Sequence, residues 1–184
     1  MTRLRDRLSF DSASGSVHDG PRRYLLMRAD VLMGALHALA PAARAAMLAA
    51  LAESTERFGG ESLQAYRQQL GTDRAALLET TADAAADLGW GSWRFDAQPE
   101  VLRLSVLHSP FADASRSVLG AASGQPMCAP IRGMLQALAS LWFGAPAFAR
   151  EQHCAAQHGE SCEFEARRNH AATAESPPAS AGCG

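Results

Sequence analysis

Three cysteines and a glutamate in the second half of the chain have the spacing of a closed metal site. They are Cys128 in PMCAPIRGML, Glu151 and Cys154 in EQHC, and Cys162 in HGESCEFEA. Zinc takes four ligands in a tetrahedron, prefers thiolates and accepts a carboxylate oxygen. Three sulfurs and one carboxylate leave no position for water, so the site they would form is structural and not catalytic. His153 and His158 flank the group and are alternative ligands to Glu151.

The elements around these residues must meet definite demands. Gly159, in AAQHGES, suits a tight turn between two strands that would return Cys162 to the side of Cys154. Cys128 precedes Pro130 at a helix start, where proline is favoured and a thiolate gains from the helix dipole. Glu151 and Cys154 have opposite parity on a regular strand. Both can reach one metal only if the strand ends or bulges near Gln152–His153. Two plainer readings stand beside zinc: buried free thiols, and a disulfide, since the chain has four cysteines. The opening MTRLRDRLSFD has no apolar signal core, which leads us to expect a reducing cytoplasm, where clustered cysteines more often serve metals. Cys183 lies in a Ser/Pro/Ala-rich tail and is read as uninvolved.

From Cys128 to Phe164 the chain resembles the C-terminal half of the 4-vinyl reductase domain family, whose late E-x-x-C…G…C-x-F signature follows a cysteine at a helix head. RRYLLMRAD, GWGSWRFD and LRLSVLHSPFA fit upstream, so the resemblance covers roughly residues 8 to 166. The family includes aromatic-sensing domains of bacterial transcription activators and a protein of bacteriochlorophyll synthesis, and its fold is similar to that of TRAPP vesicle-transport subunits. The resemblance implies structural zinc at Cys128, Glu151, Cys154 and Cys162, a small apolar or aromatic ligand, a homodimer pairing through its N-terminal region, and a protein partner for output. The aromatic sensors hold a phenol hydroxyl with a histidine and a tryptophan; no motif here matches either residue.

Composition excludes several classes. The 184 residues suit one domain, with tails at 1–7 and 167–184 expected to be disordered. The hydrophobic share of 47% and charged share of 20% are globular values. The net charge of −2 without a basic block gives nucleic acid nothing to bind. Arginine without lysine, amid abundant alanine, points to a GC-rich bacterial genome. No apolar run is long enough to span a bilayer. Glycine-rich nucleotide loops, a nucleophile elbow and a helix-turn-helix are absent from the sequence. Exposed-face acids such as Glu53, Glu56 and Asp83 form no acid–base pair.

The pattern predicts an α+β fold: N-terminal extended pieces and helices packed on a small antiparallel sheet, with a helix between its strand pairs. LSFD, GSVHDG and RRYLLM read as short strands. ADVLMGALHALA reads as a helix, as does Pro41 to about Leu70, with Met47, Leu48, Leu51, Phe58, Leu63, Tyr66 and Leu70 near helical spacing. Gly59-Gly60 either breaks that second helix or admits a neighbour at close range. TDRAALLETTADAAADLG has helix caps at both ends. WGSWRFD and VLRLSVLH alternate as strands, SPFADASRSVLGAASGQP reads as a connection, and Pro130–Phe143 as a helix ended by Gly144. Strands follow at Ala147–Cys154 and Ser161–Ala166.

The ligand-facing candidates are His108, Trp93, Val106, Phe111, Leu135 and Trp142. His108 would place one polar group at the mouth of an apolar pocket; its plainer reading is a part-exposed strand end, and Trp93 and Trp142 also suit an ordinary core. The function expected is non-enzymatic binding of an apolar molecule by a sensor or scaffold. The alternatives are an accessory factor or reductase in tetrapyrrole synthesis, and a dimerising module with a filled interior.

Overall fold

The computed structural model describes residues 2–169; Cys183 and the tail beyond residue 169 lie outside the described residues. After a short helix α1 (Leu4–Arg7), strands β1 (Ser9–Asp11), β2 (Ser16–Asp19) and β3 (Arg22–Tyr24) form a small antiparallel sheet in the order β1-β2-β3. Helices α2 (Ala29–Ala38), α3 (Pro41–Ser54), α4 (Gly60–Leu70) and α5 (Arg74–Asp87) follow, then β4 (Ser92–Ala97) and β5 (Val101–Leu107). Helices α6 (Pro110–Leu119) and α7 (Ala129–Phe143) lead into β6 (Ala147–His153) and β7 (Ser161–Arg168). The second sheet has the antiparallel order β4-β5-β7-β6, so the last strand inserts beside β5 and the fold is α+β, as the pattern predicts.

Alternation gives this sheet one dry face. Leu102, Leu104 and Val106 of β5 stand opposite Ala166, Phe164 and Cys162 of β7, and all six are buried. The other face is polar: Arg103 pairs with Glu165 and Asp96, each at 3.3 Å, and Ser105 Oγ donates to Glu163 at 2.8 Å. Helix α7 covers the dry face with Ile131, Leu135 and Leu138, all fully buried. Its other side meets α3 at Gly133, where an added Cβ would lie 2.1 Å from the carbonyl oxygen of Ala52. Glycine is required there because two backbones touch.

Two local outcomes differ from the sequence reading, and one alternative it left open is decided. SPFADASRSVL is a helix, not a connection: Ser109 caps it by accepting from the amide of Ala112, and Pro110 occupies its first turn. The N-terminal segment is held, not loose. Leu4 is buried, Arg3 pairs with Asp87 at 2.7 Å, and Arg7 pairs with Asp19 at 2.9 Å. The long second helix does not break at Gly59-Gly60; a π-helical turn over Thr55–Gly59 joins α3 to α4. Close approach accounts for the glycines, since a Cβ on Gly59 would meet Met134 Cε at 2.6 Å and one on Gly60 would meet Ala137 Cβ at 3.4 Å.

Replacing Gly133 with alanine should destabilise the domain by about 1–3 kcal/mol, because the added methyl meets rigid backbone instead of a movable side chain. A lowered urea midpoint at unchanged slope is the expected reading; an unchanged midpoint would show that α3 and α7 part freely.

Candidate metal centre and apolar cavity

The four metal-ligand candidates converge. One ligand atom from each of Cys128, Glu151, Cys154 and Cys162 lies within 4.8 Å of all the others. Each arrives from a different local cause. Cys128 is the residue before the first turn of α7, with Pro130 inside that turn. Glu151 and Cys154 come from the end of β6, where the pairing slips between Glu151 and His153. That bulge cancels the opposite parity of a regular strand. Cys162 follows the turn at Gly159, whose φ is 77°, and sits on the dry face of β7 opposite Val106.

Sulfur positions fit one cation better than a disulfide. Cys128 Sγ lies 3.8 Å from Cys154 Sγ and 3.5 Å from Cys162 Sγ. A disulfide needs about 2.05 Å. Zn–S bonds of about 2.3 Å in a tetrahedron put sulfurs about 3.8 Å apart. The donors around the sulfurs suit thiolates: the amide of Met127 donates to Cys154 Sγ at 3.5 Å, and that of Ala155 to Cys162 Sγ at 3.3 Å. Ser109 Oγ is 3.2 Å from Cys128 Sγ. The cap of α6 thus supplies a polar neighbour that the sequence reading missed, although Ser-Pro after a strand is a helix-start signal.

Electrostatics point the same way. Glu151 Oε1 is buried without a hydrogen-bond partner. Burial and then the nearby Cys154 push the Glu151 carboxyl up to about 9. Hydrogen bonds with Cys154 and Cys162, together with burial, push the Cys128 thiol up, whereas hydrogen bonds from Cys128 and Cys154 pull Cys162 down. Negative charge is thus favoured on Cys162 and disfavoured on Cys128. A cation at the centre reverses this logic by stabilising all the deprotonated forms together. The set could therefore hold a metal ion. Neither flanking histidine joins it among the described residues: His153 and His158 pack edge-to-face at 4.2 Å.

A separate cavity of about 550 Å³ opens between the helical layer and the N-terminal sheet. Leu51, Leu63, Leu88, Trp90, Trp93 and Met134 form much of its wall, and Phe58 stands exposed among its lining residues. Of the six ligand-facing candidates, only Trp93 lines it. Val106 and Leu135 are fully buried in the core, and Phe111 packs edge-to-face on Trp90 at 5.4 Å. Trp142 lies half-buried beneath Arg74. His108 does not continue the strand face; its φ of 59° turns it outward, it is exposed, and it borders a separate shallow depression. Leu51, Phe58, Leu63 and Tyr66 were visible in sequence only as a helical stripe, which a core and a cavity wall share.

No family model matches the chain, and no curated protein sequence matches it significantly. Solved structures do. The phenol-responsive sensory domain of the transcription activator PoxR, with phenol, aligns at a TM-score of 0.70 and 20% identity, covering 90% of this chain and 86% of that one. A vinyl-4-reductase family protein from Methanocaldococcus jannaschii aligns at 0.46 and 14%, over 78% and 96% of the two chains. A trafficking protein particle complex subunit 3 from Naegleria fowleri, covalently bound to palmitic acid, aligns at 0.44 and 12%, over 77% and 95%. The first shows a shared fold. That first structure is the kind of protein that the resemblance around Cys128–Phe164 anticipates.

If the four side chains share a metal, Cys162→Ser should destabilise the domain by roughly 3 kcal/mol or more, within the range of the largest single-residue effects. The same variant should lose bound metal on gel filtration. Full stability together with full metal content would show that Cys162 is only a buried thiol.

Proposed function

We propose that this chain is a non-enzymatic binding domain for a small, largely apolar molecule, built around a structural zinc ion held by Cys128, Glu151, Cys154 and Cys162. The cavity carries the reading: about 550 Å³, apolar along most of its wall, in the size range of small-molecule sites. A filled interior, as a purely dimerising module would have, is not what the helical layer encloses. Zinc bound by four protein groups has no open position for substrate, so its contribution is to cross-link the start of α7 to the β6–β7 hairpin. The fold shared with a phenol-responsive sensory domain supports a sensing role, with output through a partner protein.

A homodimer fits the N-terminal region. Strands of three or four residues make a weak independent sheet, and Phe10, Leu25, Leu26 and Met27 are exposed beside it. Pairing with a second copy would cover them.

Elemental analysis should return about one zinc per chain; a metal-free protein with Cys128 and Cys162 joined in a disulfide would refute the zinc assignment. Thermal-shift screening with phenols, simple aromatics, fatty acids and porphyrins should raise the melting temperature for at least one class, because a ligand of the folded state stabilises it. Ala84→Phe, which fills the cavity from α5, should abolish that shift. No response to any class would defeat the binding reading, and conversion of a vinyl tetrapyrrole with an electron donor would overturn the non-enzymatic one. Light scattering at micromolar concentration should give twice the chain mass; a monomer would defeat the dimer.

A further inference from the structure

The cavity is not uniform in chemistry. Three polar side chains of its wall are already committed. Thr55 Oγ1 donates to the Leu51 carbonyl at 2.8 Å and Thr81 Oγ1 to the Leu77 carbonyl at 2.7 Å. Trp93 Nε1 donates to the Trp90 carbonyl at 3.0 Å. A small polar ligand such as phenol finds no free donor from these three side chains. It would also underfill the space, since a cavity of roughly 150 Å³ suffices for benzene and this one measures about 550 Å³.

The wall supplied by the N-terminal sheet carries a guanidinium. Arg22 and Tyr24 are alternate residues of β3, share a face and are both half-buried along the cavity. Tyr66 lines it beside them. The neighbouring cation, Arg7, is occupied: it pairs with Asp19 at 2.9 Å and donates to the Tyr66 hydroxyl at 3.4 Å. Asp19 feels the charge of Arg22 but is bound by Arg7, and among the described residues Arg22 has no ion-pair partner. Arg23 lies on the exposed side of β3, so Arg22 is the guanidinium turned toward the cavity, and Glu61 is the carboxylate among the lining residues. A guanidinium fork matches an oxyanion. One half-buried arginine, with two tyrosine hydroxyls and a glutamate on the same lining, suits a single negative charge better than a doubly charged phosphate ester.

We infer that the cavity takes an amphipathic carboxylate. Its apolar body, larger than one aromatic ring, lies in the buried part, and its carboxylate meets Arg22 with the Tyr24 and Tyr66 hydroxyls alongside. The inference rests on the binding reading above and names the class of ligand for that cavity.

The test is a fluorescence titration, with Trp90 and Trp93 in the cavity wall as reporters, using dodecanoate, methyl dodecanoate and 1-dodecanol below their aggregation limits. The expected result is at least tenfold tighter binding of dodecanoate than of the ester or alcohol, the scale of one charge-assisted hydrogen bond. Arg22→Gln should bring dodecanoate down to the affinity of the ester, and a melting curve of the variant establishes that it is folded. Equal affinity for acid and ester, or a preference for the acid that survives Arg22→Gln, overturns the carboxylate assignment while leaving an apolar binding cavity. Failure of all three probes to bind overturns this inference, and the binding reading falls with it only if the thermal-shift classes also give no response.

Discussion

A buried carboxylate beside three buried sulfurs is the constraint on which this architecture turns. Desolvated anionic groups at close range repel one another and lose water, so they stay charged only around a cation. Four separate local devices serve that convergence: a helix start at Pro130, a bulge at Gln152, a left-handed glycine at 159 and the strand register that sets Cys162 against Val106. The same hairpin sets β7 between β5 and β6, so Cys162 belongs to the central part of the sheet.

The second structural demand is close approach. Helix α7 carries the dry face of the sheet on one side and α3 on the other, and the contact at Gly133 lets backbones touch. That contact sets the helical layer against the helix whose head carries Cys128. The cavity then lies where the α3–α4 wall, α5 and the N-terminal strands fail to meet, lined by residues from each. Buried sulfur chemistry and apolar space therefore occupy different parts of one fold.

The convergence of the three cysteines and Glu151 was legible in sequence because cysteine is scarce and its spacing is short-range; parity also asked that the strand end or bulge near Gln152–His153, and a bulge is what it has. Helix α6 was not, because its small residues resemble a linker, and the Ser109-Pro110 start signal was outweighed by composition. His108 was placed on the strand face by extending alternation one residue too far, past the point where the backbone turns to φ 59°. The cavity was the least legible feature. Leu51, Leu63 and Tyr66 have the spacing of core residues, and a cavity is an absence of neighbours from distant segments that no local pattern records. The anchoring of the N-terminus by Arg3 and Asp87 is hidden for a related reason: the partners are 84 positions apart.

The π-helical turn at Thr55–Gly59 sets the phase between the two halves of one long helix. Such a turn accommodates one residue beyond α-helical phasing, and one residue corresponds to about 100° of rotation. Thr55, Phe58 and Gly59 of this turn border the cavity, whereas none of the four clustered side chains belongs to α3 or α4. A lineage could thus gain or lose a single codon here and re-aim a wall of side chains without altering any of the four clustered residues.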